Sequence, residues 1–264
     1  MKLESAQLIA RGRTAEVYAW GDRQVLKLYQ TWCPPQWIEN EARVAHAIVA
    51  AGIPTPAAGK IVEIEGRRGL VYERIYGRSL LDELNAHPWR LFQLARTLAD
   101  LQAQVHNLQL ADLPSYKKSL AGSIQRAEHL PPDLREKTLG LLETLPEGET
   151  VCHADFHPGN VLLTANGPII IDWMTAMRGN PWADVARTSL ILQIGARAAG
   201  NQLNPLLRGA ISLYHRTYLK RYRSLRPDPD HLLSRWLPVI AAARLDENIE
   251  PERQALLQLI QEAE

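Results

Sequence analysis

The spacing of apolar residues changes near residue 77, and this change constrains the fold more than any other feature of the sequence. Before it, short runs with the composition of β-strands are separated by turns that contain glycine. These runs cover residues 7–10, 16–20, 24–29, 60–64 and 69–75. One helix interrupts them, because Pro34 and Pro35 open a helical pattern that Gly52 ends after about residue 51.

Beyond residue 77, apolar residues recur at the spacing of amphipathic helices. Helices are predicted over residues 91–105, 116–128, 132–144, 183–199, 206–223 and 231–243. A β-rich insert at residues 150–172 lies among them. The sequence therefore predicts an α+β chain with a small β-rich amino-terminal lobe, residues 1–75, and a larger, mainly helical carboxy-terminal lobe, residues 76–264.

The charge balance excludes whole classes of partner. Thirty Lys and Arg residues against 29 Asp and Glu residues leave a net charge of +1, so no general field attracts nucleic acid or an anionic membrane. No apolar stretch approaches the roughly 20 residues that a membrane span needs. Cys33 and Cys152 form no CxxC pair. We expect a cytoplasmic protein with no nucleic-acid or membrane partner.

A lysine and a glutamate in the first lobe point to an anionic ligand. Lys27 lies in a predicted strand, and Glu41 falls within the apolar stripe of the following helix. A buried carboxylate is costly unless a cation meets it, so pairing with Lys27 is expected. The pair could be purely structural, or Glu41 could reach solvent at the helix edge. The Gly12–Ala15 loop, with the Thr14 hydroxyl, is a weak phosphate-loop candidate that an ordinary hairpin turn would equally explain.

The insert at residues 151–172 carries the strongest chemical signal. Ala165-Asn166-Gly167 predicts a hairpin, and a three-residue loop would place Asn160 directly opposite Asp172. An amide oxygen and a carboxylate at that spacing suit Mg²⁺, whereas a two-residue turn would shift the register and separate them. Asp155, across a Pro-Gly turn from Asn160, could accept a proton from a substrate hydroxyl. Taken singly, Asp155 is better explained as a turn-capping residue, whereas the three residues together favour the catalytic interpretation.

These motifs resemble those of aminoglycoside phosphotransferase and choline kinase-like enzymes, a family of small-molecule kinases with a protein-kinase-like bilobal fold. The resemblance rests on HADFHPGN at residues 153–160 and IIDW at residues 170–173. Further matching segments are VLKLY (25–29), ENEA (39–42), ERIYG (73–77) and NPWADVAR (180–187).

The resemblance implies an enzyme that uses ATP or GTP with Mg²⁺ and has a nucleotide-binding first lobe and a catalytic second lobe. Asp155 would be the catalytic base, and Asn160 and Asp172 the Mg²⁺ ligands. Lys27, held by Glu41, would bind the nucleotide phosphates near Thr14. The backbone of Glu73 to Ile75 would contact the adenine edge. Asp184 would brace the catalytic loop.

The acceptor implied is a small-molecule hydroxyl, on an amino alcohol, a sugar, homoserine or an aminoglycoside-like compound. Ala154 replaces a glycine that many members have, a small change expected to be tolerated. Eleven residues between Asp172 and Asp184 are too few for a long activation loop, which disfavours protein substrates. The sequence leaves open the nucleotide, the oligomeric state, and the alternative of a regulatory nucleotide-binding module without turnover.

Two further patterns in the second lobe have competing interpretations. Residues 214, 218 and 222 are tyrosines at helical spacing, which favours a packed core over an aromatic cage for a quaternary amine. Asp246, Glu247 and Glu250 form an acidic cluster that favours a solvated helix start over an amine site. Residues 185–264 carry eleven basic and eight acidic side chains, which argues weakly against a polycationic acceptor.

Overall fold

A computed structural model describes residues 6–200, 203–228 and 230–262 of the chain. The chain forms two compact units. The first contains the described residues up to Asp82 together with Gly159–Ala176, and the second contains Glu83–Pro158 and the described residues from Met177 onward. The first unit is β-rich and the second is mainly helical, which confirms the predicted fold class. The functional assignment of the two lobes remains a prediction.

The first unit is built on a five-stranded antiparallel sheet with the order β1-β2-β3-β5-β4. Its strands are β1 (Leu8–Arg11), β2 (Ala15–Ala19), β3 (Gln24–Tyr29), β4 (Ala58–Ile64) and β5 (Arg67–Glu73). They match the five predicted runs to within two residues at each end. The turn between β4 and β5 is shorter than expected, because Glu65 and Gly66 both adopt positive φ and close it in two residues.

Alternation along β3 places different chemistry on the two faces of the sheet. Leu26 and Leu28 are fully buried and pack with Val71 on one face. On the other face, Tyr29 packs with Leu70 against helix α1 (Pro35–Ala50). Because side chains alternate along a strand, Lys27 shares this second face with Tyr29. The sheet thus directs the strand lysine toward α1.

A second sheet in the same unit carries the hairpin of the chemical motif. It has the order β6-β8-β9, with β6 (Arg78–Ser79), β8 (Val161–Thr164) and β9 (Gly167–Ile170). The connector before β6 approaches β8 closely, since a Cβ atom on Gly77 would lie 2.4 Å from the carbonyl oxygen of Leu163. Only glycine fits this approach without a shift of the backbone. Helix α2 (Leu80–Ala86) follows β6 directly.

The second unit is a set of packed helices with one two-stranded sheet, formed by β7 (Thr150–Cys152) and β10 (Met177–Gly179). Its helices are α3 (Leu91–Val105), α4 (Tyr116–Arg126), α5 (Pro132–Thr144), α6 (Pro181–Ala198), α7 (Pro205–Leu225), α8 (Leu232–Arg244) and α9 (Arg253–Gln261). The sequence predicted all of these helices except α9, whose nine residues follow two short 3₁₀ turns.

The tyrosine stripe of α7 is helix core, as the sequence favoured. Tyr214, Tyr218 and Tyr222 are at most 3% exposed and face α3. The Tyr218 hydroxyl donates a hydrogen bond to Gln102 Oε1 on that helix. Charged residues lie on the outer side of the same helix. Within the described residues, each helix is too short or too polar to traverse a lipid bilayer.

Candidate functional site

The lysine of β3 lies between two carboxylates in the first unit. The Lys27 ammonium donates to Glu41 Oε1 at 2.7 Å and to Asp172 Oδ1 at 2.7 Å. The predicted Lys27–Glu41 pair is therefore present, and Asp172 joins it from the segment after β9. The Glu41 side chain is 1% exposed, whereas that of Asp172 is 41% exposed. Glu41 is therefore a buried partner of the ammonium, and Asp172 is a solvent-exposed one.

The charge state of Lys27 follows from these contacts. Burial of the ammonium acts to lower the pKa of Lys27, but the negative charges of Glu41 and Asp172 outweigh it and raise that pKa above its ordinary value. The side chain is therefore a fixed cation. An ammonium has three N–H donors, and in the described part of the chain two of the three engage these carboxylates.

Two tyrosines complete the surroundings of Glu41, and no role was predicted for either from the sequence, although Tyr29 was expected on the same strand face as Lys27. The Tyr29 hydroxyl donates to Glu41 Oε2 at 2.6 Å, and the Tyr72 hydroxyl donates to Glu41 Oε1 at 2.8 Å. Lys27 also lies 5.4 Å from the centre of the Tyr29 ring. Strand alternation was the available signal, because residues 27 and 29 of one strand share a face.

The loop of the weak phosphate-loop candidate is a tight hairpin turn between β1 and β2. The Gly12 N–H donates to the carbonyl of Ala15 at 2.8 Å. The Thr14 carbonyl accepts from the Gln30 N–H and from the Cys33 thiol, which ties the loop to the segment after β3. Thr14 keeps a partly exposed side chain. The loop has the ordered backbone that either interpretation requires, and a phosphate-binding role for Thr14 stays a prediction.

The proposed nucleotide-edge segment begins at the last residue of β5. The Glu73 N–H donates to the carbonyl of Ala57, and the Arg74 N–H donates to the carbonyl of Arg23. No hydrogen bond among the described residues engages the N–H of Ile75. A backbone donor therefore remains at Ile75, where the sequence placed the adenine contact. The contact itself remains a prediction.

The hairpin register differs from the one expected. Thr164 pairs with Gly167, not with Pro168, so the loop has two residues. Ala165 and Asn166 precede a glycine with φ +114°, and the Thr164 hydroxyl accepts from the Asn166 N–H and donates to the Gly167 carbonyl. These bonds close the turn with a loop of two residues, one fewer than the three-residue loop expected from the sequence.

The direct opposition of Asn160 and Asp172 is therefore wrong. The Ile171 N–H donates to the carbonyl of Asn160 at 3.0 Å, so residue 171, not 172, lies across from Asn160. Strict alternation would then separate the two side chains. It does not apply to Asp172, however, because the ladder ends at Ile170 and Asp172 has φ +68°, in the left-handed region.

The segment around Asp172 is anchored by a threonine that the sequence reasoning did not single out. The Thr55 hydroxyl donates to the carbonyl of Ile170 at 2.8 Å and accepts from the Trp173 indole N–H at 2.8 Å. The Ile170 N–H donates to the carbonyl of Pro54. These bonds fix the backbone before Asp172 and the Trp173 side chain after it, so the unusual φ of Asp172 is held by its neighbours.

The donor set available for a divalent cation is small. Asn160 is 8% exposed and supplies an amide oxygen, and Asp172 supplies a carboxylate in the same unit. Across the described ranges, no group of three or more His, Cys, Asp or Glu side chains has the arrangement of a metal site. One amide and one carboxylate are the ligands of a hard cation that retains waters, which fits Mg²⁺ better than zinc.

In the second unit, Asp184 braces the segment before Asp155, as predicted. Its carboxylate accepts the N–H of Ala154 at 2.7 Å and that of His153 at 3.2 Å. Gln102 and His106 donate to the same group, each at 3.0 Å. Burial acts to raise the pKa of Asp184, but the hydrogen bonds from His106 and Gln102 outweigh it and hold that pKa below its ordinary value.

Ala154 occupies a strained backbone position. Its φ is +61°, in the region where a Cβ atom meets the neighbouring carbonyl. This explains why glycine suits the position, and it shows that the two hydrogen bonds to Asp184 act where the backbone needs support.

Asp155 has an arginine and an imidazole as neighbours in its own unit. Its carboxylate lies 3.9 Å from Arg187 Nη2 and 3.7 Å from His157 Nε2. Arg187 also pairs with Glu247 at 2.6 Å. Burial acts to lower the pKa of Arg187, but Glu247, Tyr116 and Asp155 raise it above its ordinary value. Arg187 was not predicted, although it stands in the quoted NPWADVAR segment.

The acidic cluster near the carboxy terminus follows the favoured interpretation in part. Its residues lie in two 3₁₀ turns, where Glu250 is exposed, whereas Asp246 and Glu247 are half-buried and pair with arginines. Glu247 pairs with Arg187 and Arg244, and Asp246 pairs with Arg126 at 2.7 Å. An amine ligand would have to displace these cations, which disfavours an amine site here.

Comparison with known proteins gives a consistent family. The phosphotransferase enzyme family model matches residues 5–227. No curated protein matches the chain. Among solved structures, an aminoglycoside 3'-phosphotransferase of type VIII is 20% identical, with a TM-score of 0.59 over 90% of this chain and 93% of its own.

Two other structures extend the comparison. An amicoumacin kinase is 16% identical, with a TM-score of 0.65 over 98% of this chain and 88% of its own. A choline kinase from Cryptosporidium parvum is 14% identical, with a TM-score of 0.60 over the same shares. These likenesses confirm the protein-kinase-like fold. With the family model covering most of its length, the chain belongs to the phosphotransferase enzyme family.

Proposed function

We propose that this protein transfers the γ-phosphate of ATP or GTP to a hydroxyl group of a small molecule, with Mg²⁺. The observation that carries the proposal is the Lys27 ammonium, held at 2.7 Å from both Glu41 and Asp172. A cation fixed at a solvent-accessible carboxylate is the arrangement that phosphoryl transfer requires, because positioning and charge neutralisation supply most of its catalysis.

The donor side of the reaction would use residues of the first unit. Lys27 would bind the phosphates through its remaining N–H, Thr14 and its loop would contact phosphate oxygens, and the Glu73–Ile75 backbone would meet the base. Neighbours in fold support a nucleotide: the amicoumacin kinase was solved with AMP-PNP and Ca²⁺, and another neighbour with GDP and kanamycin. Both nucleotide families are therefore candidates.

Asn160 and Asp172 would hold the divalent cation, since their amide and carboxylate oxygens fit Mg²⁺. When bound, Mg²⁺ supplies neutralisation of the phosphate charge. The chain's own contribution is to present these oxygens on a segment that Thr55 anchors from both sides.

Asp155 would act on the acceptor. Its carboxylate would accept the proton of the attacking hydroxyl, and the Asp184 bonds to residues 153 and 154 would fix its backbone. The acceptor would be an amino alcohol, a sugar, homoserine or an aminoglycoside-like compound. The pairing of the acidic cluster with arginines gives no support to a strongly cationic acceptor.

The test is a phosphotransfer screen with γ-labelled ATP and GTP, Mg²⁺ and a panel of these four acceptor classes. We expect one class to give a labelled product with the wild-type protein. Asp155→Asn should lower turnover by about two to four orders of magnitude, because general-base catalysis contributes that much, while nucleotide affinity stays within about twofold. Near-normal turnover in this variant would sink the assignment of Asp155.

The rival function is a nucleotide-binding regulatory module without turnover. It predicts a thermal shift with ATP and Mg²⁺ but no labelled product from any acceptor. Asp172→Ala tests the metal role independently of turnover. This variant should fold, but its nucleotide affinity should no longer depend on Mg²⁺. Unaltered Mg²⁺ titrations in Asp172→Ala would contradict its assignment as a ligand.

A further inference from the structure

The Glu41 carboxylate is held at both of its oxygens. Oε1 accepts from the Lys27 ammonium at 2.7 Å and from the Tyr72 hydroxyl at 2.8 Å, and Oε2 accepts from the Tyr29 hydroxyl at 2.6 Å. A terminal carboxylate torsion is soft when a single contact restrains it. Contacts at both oxygens remove that freedom, because rotation in either direction breaks a hydrogen bond.

The sheet register produces this arrangement. Val25 pairs with Tyr72 and Lys27 pairs with Leu70, so Tyr72 lies diagonally across from Lys27 on the neighbouring strand. Tyr29 is two residues beyond Lys27 on β3. Alternation places the side chains of Lys27, Tyr29 and Tyr72 on the face that α1 covers. Glu41 is a buried residue of that helix.

Both hydroxyls remain donors over the accessible pH range. Burial and the negative charge of Glu41 raise the pKa of Tyr29 and the pKa of Tyr72 well above the ordinary value for tyrosine. Tyr29 is 1% exposed and packs in the core cluster with Ile38 and Leu70. The support is therefore rigid as well as polar.

We propose that Tyr29 and Tyr72 are positioning residues for the phosphate-binding lysine: their hydroxyls fix the Glu41 carboxylate, which in turn fixes the Lys27 ammonium for a nucleotide phosphate. This rests on the proposed function in assuming that Lys27 contacts nucleotide. The tyrosines supply part of the charge stabilisation that Glu41 needs, so Lys27 can direct an N–H to the ligand without leaving a buried carboxylate unsupported. The lysine–glutamate pair is assembled before nucleotide arrives.

The test measures the affinity of the full-length protein for AMP-PNP with Mg²⁺ by titration calorimetry. Tyr72→Phe and Tyr29→Phe keep the rings and remove only the hydroxyls. We expect each substitution to raise the Kd about 3- to 10-fold. The Lys27 ammonium would be less ordered in the free protein, so part of the binding free energy would be used to order it. The thermal midpoint reports folding of every variant.

Tyr18→Phe is the matched control. Tyr18 lies on β2 of the same sheet and donates to another buried carboxylate, Glu16, at 3.1 Å. Loss of its hydroxyl removes a tyrosine–glutamate bond of the same kind, at a carboxylate that is not a partner of the Lys27 ammonium. We expect its Kd to stay within twofold of the wild-type value.

A double-mutant cycle separates positioning from packing. In a Glu41→Leu background the Tyr72 hydroxyl has no carboxylate to orient, so adding Tyr72→Phe should change the Kd by less than twofold. If Glu41→Leu does not fold, Lys27→Met provides the background. An equal fold-change with and without Glu41, or unchanged affinity in Tyr72→Phe, would overturn the inference while the proposed function stands. Failure of the wild-type protein to bind the analogue would overturn both.

Discussion

Among the described residues, Glu41 in the first unit and Asp184 in the second are the two carboxylate residues that solvent reaches least, and they are stabilised in different ways. Glu41 in the first unit is surrounded by side-chain donors, Lys27, Tyr29 and Tyr72. Asp184 in the second unit accepts two backbone N–H groups as well as two side chains. Both satisfy the rule that a buried charge must be hydrogen-bonded.

The difference indicates what each carboxylate positions. A carboxylate held by side-chain donors orients the flexible one among them, here the lysine with its ammonium group. A carboxylate bound to consecutive backbone N–H groups instead fixes the path of the chain, here the two residues before Asp155. Glu41 should therefore control nucleotide affinity, and Asp184 should control stability and turnover. Substitutions in each unit can break this contrast.

Asp184→Asn is expected to have the largest effect. The amide keeps one acceptor oxygen and turns an NH₂ group toward existing donors. Even when the oxygen stays at the Oδ2 position, the Ala154 N–H loses its acceptor, and the other three bonds lose the strengthening that a charged acceptor gives. We expect the free energy of unfolding to fall by about 3–5 kcal/mol in urea titrations, with lower turnover and unchanged nucleotide affinity. Asp133→Asn, at an exposed position in the first turn of α5, is the control and should change stability by less than about 0.5 kcal/mol.

The same residue predicts the acid limb of the stability curve. Because the pKa of Asp184 is lowered in the folded state, its contribution is complete above the ordinary aspartate value, 3.8, and is lost as the pH falls through the folded-state pKa. Asp184→Asn should therefore flatten the decrease in stability below about pH 4. An unchanged acid limb would show that Asp184 does not drive it.

Glu41→Gln should weaken nucleotide binding, which Asp184→Asn leaves unchanged, and should lower the free energy of unfolding by less than Asp184→Asn does. Lys27 retains Asp172 as a partner, so we expect a loss of about 2 kcal/mol in the free energy of unfolding. Nucleotide affinity should fall about tenfold, which corresponds to about 1.4 kcal/mol. Glu39→Gln, on the same helix but 60% exposed, should leave both quantities near wild type. If Asp184→Asn weakened nucleotide binding more than Glu41→Gln, the contrast between the units would fail.

His215 extends the comparison, because it is a partly buried titratable group that forms no ion pair with a carboxylate in the described part of the chain. Burial, with the positive charges of Arg223 and Arg197, lowers the pKa of His215 from 6.5 to about 4. The folded state then resists protonation while the unfolded state accepts it. Stability should consequently fall as the pH decreases from about 6.5 to 4, by up to about 1.4 kcal/mol for each pH unit. Unfolding titrations of His215→Gln should lack this decrease, whereas the exposed control His129→Gln should retain it.

Local rules predicted the support for Glu41 better than the support for Asp184. Helix periodicity placed Glu41 on a buried stripe, and the adjacent strand supplied Lys27, so the pair could be inferred. Gln102 lies in α3 and His106 directly follows this helix, about 80 residues before Asp184, and no spacing rule connects them with Asp184. Strand alternation was sufficient to place Tyr29 beside Lys27, whereas placing Tyr72 there required the register between β3 and β5.

The hairpin error has a local cause with a distant consequence. The letters Ala165-Asn166-Gly167 fit both a two-residue and a three-residue loop, and the Thr164 hydroxyl decides between them. A one-residue difference moves every later side chain to the other face of the ladder. The positive φ of Asp172 and its pairing with Lys27 depend on contacts with Thr55, which lies far away in the sequence.

Ala154→Gly is expected to have the smallest effect, and it tests whether Asp184 holds a strained backbone. At φ +61° an alanine costs about 1–2 kcal/mol relative to glycine, and the substitution relieves that cost. The gain is offset by the greater flexibility of glycine in the unfolded chain, about 0.5–1 kcal/mol, and by loss of a buried methyl group worth about 0.8 kcal/mol. The net change should lie within about 1 kcal/mol. Ala186→Gly, at a fully buried position inside α6, lacks the relief and should cost about 1.5–2 kcal/mol. Equal losses at the two positions in urea titrations would show that residue 154 carries no strain for Asp184 to hold.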